Sequence, residues 1–156
     1  MDLAAGRSGF SNPERSCNTS PRKPESFCRP TPRRYETIQW VYFQMGGIGP
    51  MFGQVGYFHK FAGKEIADKR PLERYVAESK RLLAVMETRL GGRQWMMDDD
   101  YTIADISMLG WVRNLTGFYG ARELVEFDTF RQVRAWLERG LARPAVQRGL
   151  EIPKRP

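Results

Sequence analysis

The chain has 156 residues, 41% hydrophobic and 28% charged, enough for one domain with a core and too few for two. It has no run near the roughly 20 apolar residues of a membrane span and no apolar segment at its start that would serve as a secretory signal, so the expected setting is the cytoplasm. The net charge of +7 invites a nucleic-acid partner, but residues 1–34 hold seven Lys/Arg against three Asp/Glu, +4 of that total, and the near-balanced remainder has no basic stripe; nucleic acid is not expected.

Residues 1–34 contain five Pro and few large apolar side chains, Leu3, Phe10 and Phe27 among them. Such a segment buries too little surface to offset the entropy of ordering and is expected to be a disordered basic tail. Cys17 and Cys28 fall within it, spaced too widely for a C-x-x-C redox pair and without a His cluster for zinc. From Tyr35 to Pro156 the pattern is helical and forms the expected domain.

Ile38, Val41, Tyr42 and Met45 recur at the spacing of an amphipathic helix. Gly46-Gly47-Ile48-Gly49-Pro50 should interrupt or kink it, and Met51, Phe52, Val55, Phe58 and Phe61 resume the register. The glycine run is no phosphate loop, since it lacks G-K-[ST] and a preceding strand. His59, the single histidine, is expected at the surface or a hinge, so no histidine triad or zinc centre is expected. After a polar loop, Pro71 opens the clearest helix, lined by Leu72, Tyr75, Val76, Leu82, Leu83, Met86 and Leu90 and stopped by Gly91-Gly92.

Asp98-Asp99-Asp100 reads as a solvated acidic turn or, less simply, as a divalent-cation site. Thr102-Ile103-Ala104-Asp105 is a capping box in its Asp form, with hydroxyl and carboxylate exchanging hydrogen bonds with the helix-start amides; the competing reading is a catalytic acid. The helix that follows is apolar almost all round and should lie at the centre of a bundle. Phe130, Val133, Trp136, Leu137 and Leu141 line a further helix, and Pro144 opens a short last one. No alternating strand pattern competes: the fold class is all-α.

The text of these helices resembles the C-terminal domain of bacterial glutathione S-transferases, in the Nu-class group with disulfide-bond reductase members. The resemblance lies in Thr37-Ile38-Gln39-Trp40, Gln44-Met45-Gly46-Gly47-Ile48-Gly49-Pro50-Met51, Gly53-Gln54, Glu73-Arg74-Tyr75, the capping box and Ala142-Arg143-Pro144-Ala145-Val146-Gln147-Arg148. It implies a helical bundle normally preceded by a thioredoxin-like domain, which has no counterpart in residues 1–34 and supplies most glutathione contacts. It also implies that Gln39 and Arg74 reach toward glutathione, Arg74 as a fork for a carboxylate. The alternative is that both are solvated, with Arg74 paired to Glu78 one turn on. No catalytic or metal-ligating residue is assigned. The resemblance implies glutathione transfer or glutathione-dependent disulfide reduction, absent from this chain alone; the other reading is a non-catalytic module pairing with a second copy, a full-length homologue or another protein. Trp40, Met45, Ile48, Met51 and Phe52 are the expected exposed apolar patch.

Overall fold

A computed structural model of the protein describes residues 32–63 and 65–152. The expected tail, with Cys17 and Cys28, lies outside these residues apart from Pro32, Arg33 and Arg34, the last two forming the first turn of the first helix. Six α-helices follow in order: α1 (Arg33–Phe43), α2 (Gly49–Gly56), α3 (Arg70–Leu90), α4 (Ile103–Arg113), α5 (Arg131–Leu141) and α6 (Pro144–Leu150). Among the described residues there is no strand, only isolated bridges joining Trp95 to Asp98 and Met97 to Asp100. The fold is all-α.

The glycine run does not break the first helix. Gln44–Ile48 is a π segment in which the Gly49 N–H reaches back five residues to the Gln44 carbonyl, and the helix continues into α2. A π turn leaves a carbonyl without its usual donor, so Pro50, which has no N–H, sits here at little cost. The wider turn also rephases the apolar stripe. Ile48 and Phe52, expected in an exposed patch, are fully buried in the core; Trp40 and Met51 are half-buried against it, and of the five only Met45 is exposed. A second π segment, Tyr57–Phe61, closes this helix, and a third, Asn114–Phe118, extends α4.

Buried Leu82, Leu83, Met86 and Leu90 place the inner face of α3 against α2 and α5. The spacing that makes α3 amphipathic also places Glu87 where it caps α5. Its carboxylate accepts from the Gln132 and Val133 N–H groups, each at 2.9 Å, in place of the side-chain cap that Phe130 lacks.

α1 is fastened to the rest by charge. Arg89 of α3 donates to Glu36 at 2.6 Å and to the Met96 carbonyl at 2.7 Å, with its guanidinium 5.4 Å from the Trp40 ring centre. Arg89→Ala should cost about 1–2 kcal/mol by removing these contacts together. Hydrogen exchange should show the loss concentrated in α1 amides; protection there equal to wild type would mean that apolar packing alone holds the helix.

Candidate functional site

Asp105 is the most deeply embedded charged side chain among the described residues, with no solvent exposure. The capping box forms: Thr102 Oγ1 accepts from the Ala104 N–H at 3.3 Å, and the Thr102 N–H donates to the Asp105 carboxylate at 3.0 Å. The same carboxylate also accepts from the Met96 N–H at 2.9 Å and the Trp136 indole N–H at 2.8 Å. Burial pushes the Asp105 carboxyl above the usual carboxylate range, against the pull of these donors. With its oxygens turned inward to the protein's own donors, Asp105 ties α4 to α5 and the preceding loop and is sealed from any substrate.

The acidic turn is engaged as well. Arg33 donates to Asp98 and lies 3.5 Å from Asp100, while Arg93 donates to Asp98 at 2.8 Å. The Arg93 hydrogen bond, opposed by some burial and helped by Arg33, holds the Asp98 carboxyl below its usual range. Among the described residues no three His, Cys, Asp or Glu side chains converge as metal ligands.

Gln39 and Arg74 lie on the surface. Gln39 is exposed on the outer side of α1, on one stripe with Tyr35, Tyr42 and Met45. Arg74 stands exposed in the second turn of α3, at the junction of two shallow depressions, one lined by Met51, Tyr75 and Arg81 and the other by Asp68, Arg70 and Pro71. The neighbouring cations are committed: Arg70 grips Asp68 at 2.8 Å and Arg81 grips Glu78 at 2.7 Å. The Glu78 carboxyl is lowered chiefly by its hydrogen bond to Arg81, and Arg74 one turn back adds a smaller electrostatic pull on the same carboxylate. Arg74 makes no hydrogen bond among the described residues, so its fork is open to an incoming anion. No hydrogen bond joins Gln39 and Arg74. His59 is exposed, as expected.

Two features have no sequence signal. Lys60 donates to the Phe118 carbonyl and lies 3.8 Å from that ring's centre, where Phe61, Phe118 and Tyr119 join the ends of two π segments. An open groove of about 370 Å³ lies between α4, the end of α5 and α6. No described helix is long and apolar enough to cross a membrane.

Residues 51–144 match the family profile described as glutathione S-transferase, C-terminal domain. The disulfide-bond oxidoreductase YfcG of Escherichia coli is 36% identical over 120 residues, a match covering 77% of this chain and 53% of that protein. A crystal structure of a glutathione transferase from Burkholderia graminis, with two glutathione molecules bound per subunit, is 64% identical with a TM-score of 0.79 over 81% of this chain and 54% of that one. A glutathione transferase family member from Pseudomonas fluorescens, also with two glutathione bound, is 62% identical with a TM-score of 0.81 over 83% and 57%. The chain spans about half the length of the curated relatives it matches. Its helices, their capping box and this matched span place the chain in the glutathione S-transferase family, of which it carries the C-terminal domain.

Proposed function

We propose that residues 35–156 supply one wall of a glutathione site, with Gln39 and Arg74 as its polar contacts and a thioredoxin-like domain as the other wall. The activity of the completed site is glutathione transfer or glutathione-dependent disulfide reduction. The observation that carries this reading is the Arg74 fork, exposed and without a hydrogen bond among the described residues, between two cations that grip Asp68 and Glu78. The bound glutathione in the Burkholderia graminis and Pseudomonas fluorescens proteins supports the ligand class. Both reactions need the glutathione sulfur as a thiolate, stabilised by a helix N-terminus, cation or donor. In this reading the thioredoxin-like domain provides that group.

The 156-residue chain by itself should therefore neither conjugate nor reduce. Two exposed polar contacts do not offset the several kcal/mol needed to immobilise a flexible tripeptide. Glutathione titrated into the pure chain should give a dissociation constant weaker than about 1 mM. Tighter binding abolished by Arg74→Ala, or turnover above the uncatalysed rate, would show that the site is complete without a second wall.

A second reading, a module that pairs with another copy or a full-length homologue, is favoured by the α1 stripe. Tyr35, Tyr42 and Met45 are 63%, 71% and 62% exposed on one helix side, with Gln39 between them. Light scattering tests self-pairing: a concentration-independent monomer removes the second copy as partner, and an unchanged mass on mixing with a full-length homologue removes that partner too, leaving the single-wall reading intact.

A further inference from the structure

Four charged side chains flank Arg74 along its two depressions, Asp68 and Arg70 on one side and Glu78 and Arg81 on the other. Arg74, Glu78 and Arg81 follow one another along α3 at intervals of four and three residues, so Glu78 stands between two arginines, each in helical pairing range. Its hydrogen bonds go to Arg81: Nε donates to one Glu78 oxygen at 2.8 Å and a terminal guanidinium nitrogen to the other at 2.7 Å. Asp68 is held by two prongs in the same way, by Arg70 Nε at 3.0 Å and a terminal nitrogen at 2.8 Å. Both acids that line the depressions are thus gripped by an arginine other than Arg74.

Helix geometry explains the choice that Glu78 makes. Long helical side chains lean toward the helix N-terminus, so Arg81 reaches back over Glu78. A pair with the acid N-terminal to the base is the better one; Glu78–Arg81 has that order and Arg74–Glu78 the reverse. Engagement of both carboxylate oxygens by one fork adds to the preference. Released from Arg81, Glu78 would itself lean back toward Arg74. The pull of Arg74 on the Glu78 carboxyl, the smallest of those acting on it, places this second pairing within range.

We propose that Arg81 is a positioning residue of the glutathione site: by holding both oxygens of Glu78 it keeps the Arg74 fork free for a carboxylate of the ligand. Without Arg81, Glu78 turns back one helical turn, pairs with Arg74 and takes the place of that carboxylate. Arg81 touches no ligand in this arrangement. The inference rests on the proposed role of Arg74 toward glutathione. Exposed ion pairs contribute little to folding stability, so the loss of Arg81 falls on binding.

The test uses the 156-residue chain, which holds all three residues. Glutathione is titrated to about 50 mM, beyond the expected weak dissociation constant, while NMR follows the Arg74 Nε–Hε resonance, assigned by its loss in Arg74→Ala. The variants are Arg81→Ala, Glu78→Gln, the two combined, and Lys80→Ala. None of these side chains is buried, and each variant should melt within about 2 °C of wild type. In Arg81→Ala the Arg74 resonance should move before any ligand is added. The apparent dissociation constant should rise about two- to threefold, as a competing pair formed about half to two thirds of the time requires. Combining it with Glu78→Gln should restore both readings. Lys80→Ala removes an equal charge from the same helix but frees Glu126 instead, and should change neither. An Arg74 resonance unmoved in Arg81→Ala would overturn the inference. So would a weakening that Glu78→Gln does not relieve, which makes Arg81 a direct ligand contact, or an equal weakening by Lys80→Ala, which reduces the effect to net charge. A resonance that responds to the variants but to glutathione in none of them overturns the proposed function alone. Glutathione bound equally well by wild type and Arg81→Ala overturns this inference alone.

Discussion

Replacing Asp105 with alanine should destabilise the domain by about 3–5 kcal/mol, enough to lower its melting midpoint by about 10–20 °C. The magnitude follows from what the carboxylate holds. The Met96 and Thr102 amides and the Trp136 indole N–H all point at it in a region without solvent, and truncation leaves three buried donors unpaired. A plain helix cap is worth about 1 kcal/mol, the effect expected of Thr102→Ala. Equal losses for the two variants in calorimetry would reduce Asp105 to a local cap. The pH dependence has a definite sign. Burial raises the folded-state carboxyl above its unfolded value, so the stability linked to this group is fully present below the unfolded pKa. It is lost as the pH rises through the raised folded value. Measured by denaturant against Asp105→Asn, the wild-type advantage should be largest in acid and shrink upward. An advantage that grows with pH would show that the donors outweigh burial.

Gly56→Val should cost about 2–3 kcal/mol, because the last turn of α2 runs directly against the Tyr119 ring. A Cβ at position 56 would stand 2.6 Å from two atoms of that ring and 2.8 Å from a third. The ring cannot withdraw freely, being packed edge-on against Phe61 and tilted against Phe118. The backbone at Gly56 is ordinary helix, so proximity rather than torsional freedom selects glycine. The companion experiment changes sign: in a Tyr119→Ala background, Gly56→Ala should become neutral or stabilise by up to about 1 kcal/mol through helix propensity. If Gly56→Ala is equally harmful in both backgrounds, the ring is not the obstacle.

The helices are legible in the sequence because their signals are local. The stripe from Leu72 to Leu90, Pro71 at its start and Gly91 at its end lie within one segment, and α3 spans Arg70–Leu90. The capping box is readable for the same reason. The further donors to Asp105 are not: Trp136 lies 31 residues away, and the spacing around Asp105 gives no sign of it. Glu87 as the cap of α5 is hidden in the same way, 45 residues from Gln132. The sequence pattern misplaces the patch around Ile48 and Phe52 because a glycine–proline run reads as a break, whereas the π segment carries the helix through and turns those residues inward. Of the site, the exposure of Gln39 and Arg74 does not follow from their spacing. The pairs Arg70–Asp68 and Arg81–Glu78 are local, two and three residues apart, but the choice of Glu78 to hydrogen-bond Arg81 rather than Arg74 is visible only in three dimensions.

The π segment at Gln44–Ile48 makes the first long helix behave like a shaft with a coupling in it. One surplus residue advances everything downstream by about 100° relative to a uniform α-helix, so the two halves keep independent angular settings. The upstream half can hold Gln39 and its stripe outward while the downstream half drives Ile48, Phe52 and Val55 into the core. Gly46 lies within this coupling, and an added Cβ there would meet nothing within 4 Å. Removing the surplus residue would leave the composition of both halves almost untouched and yet set one of them facing the wrong way.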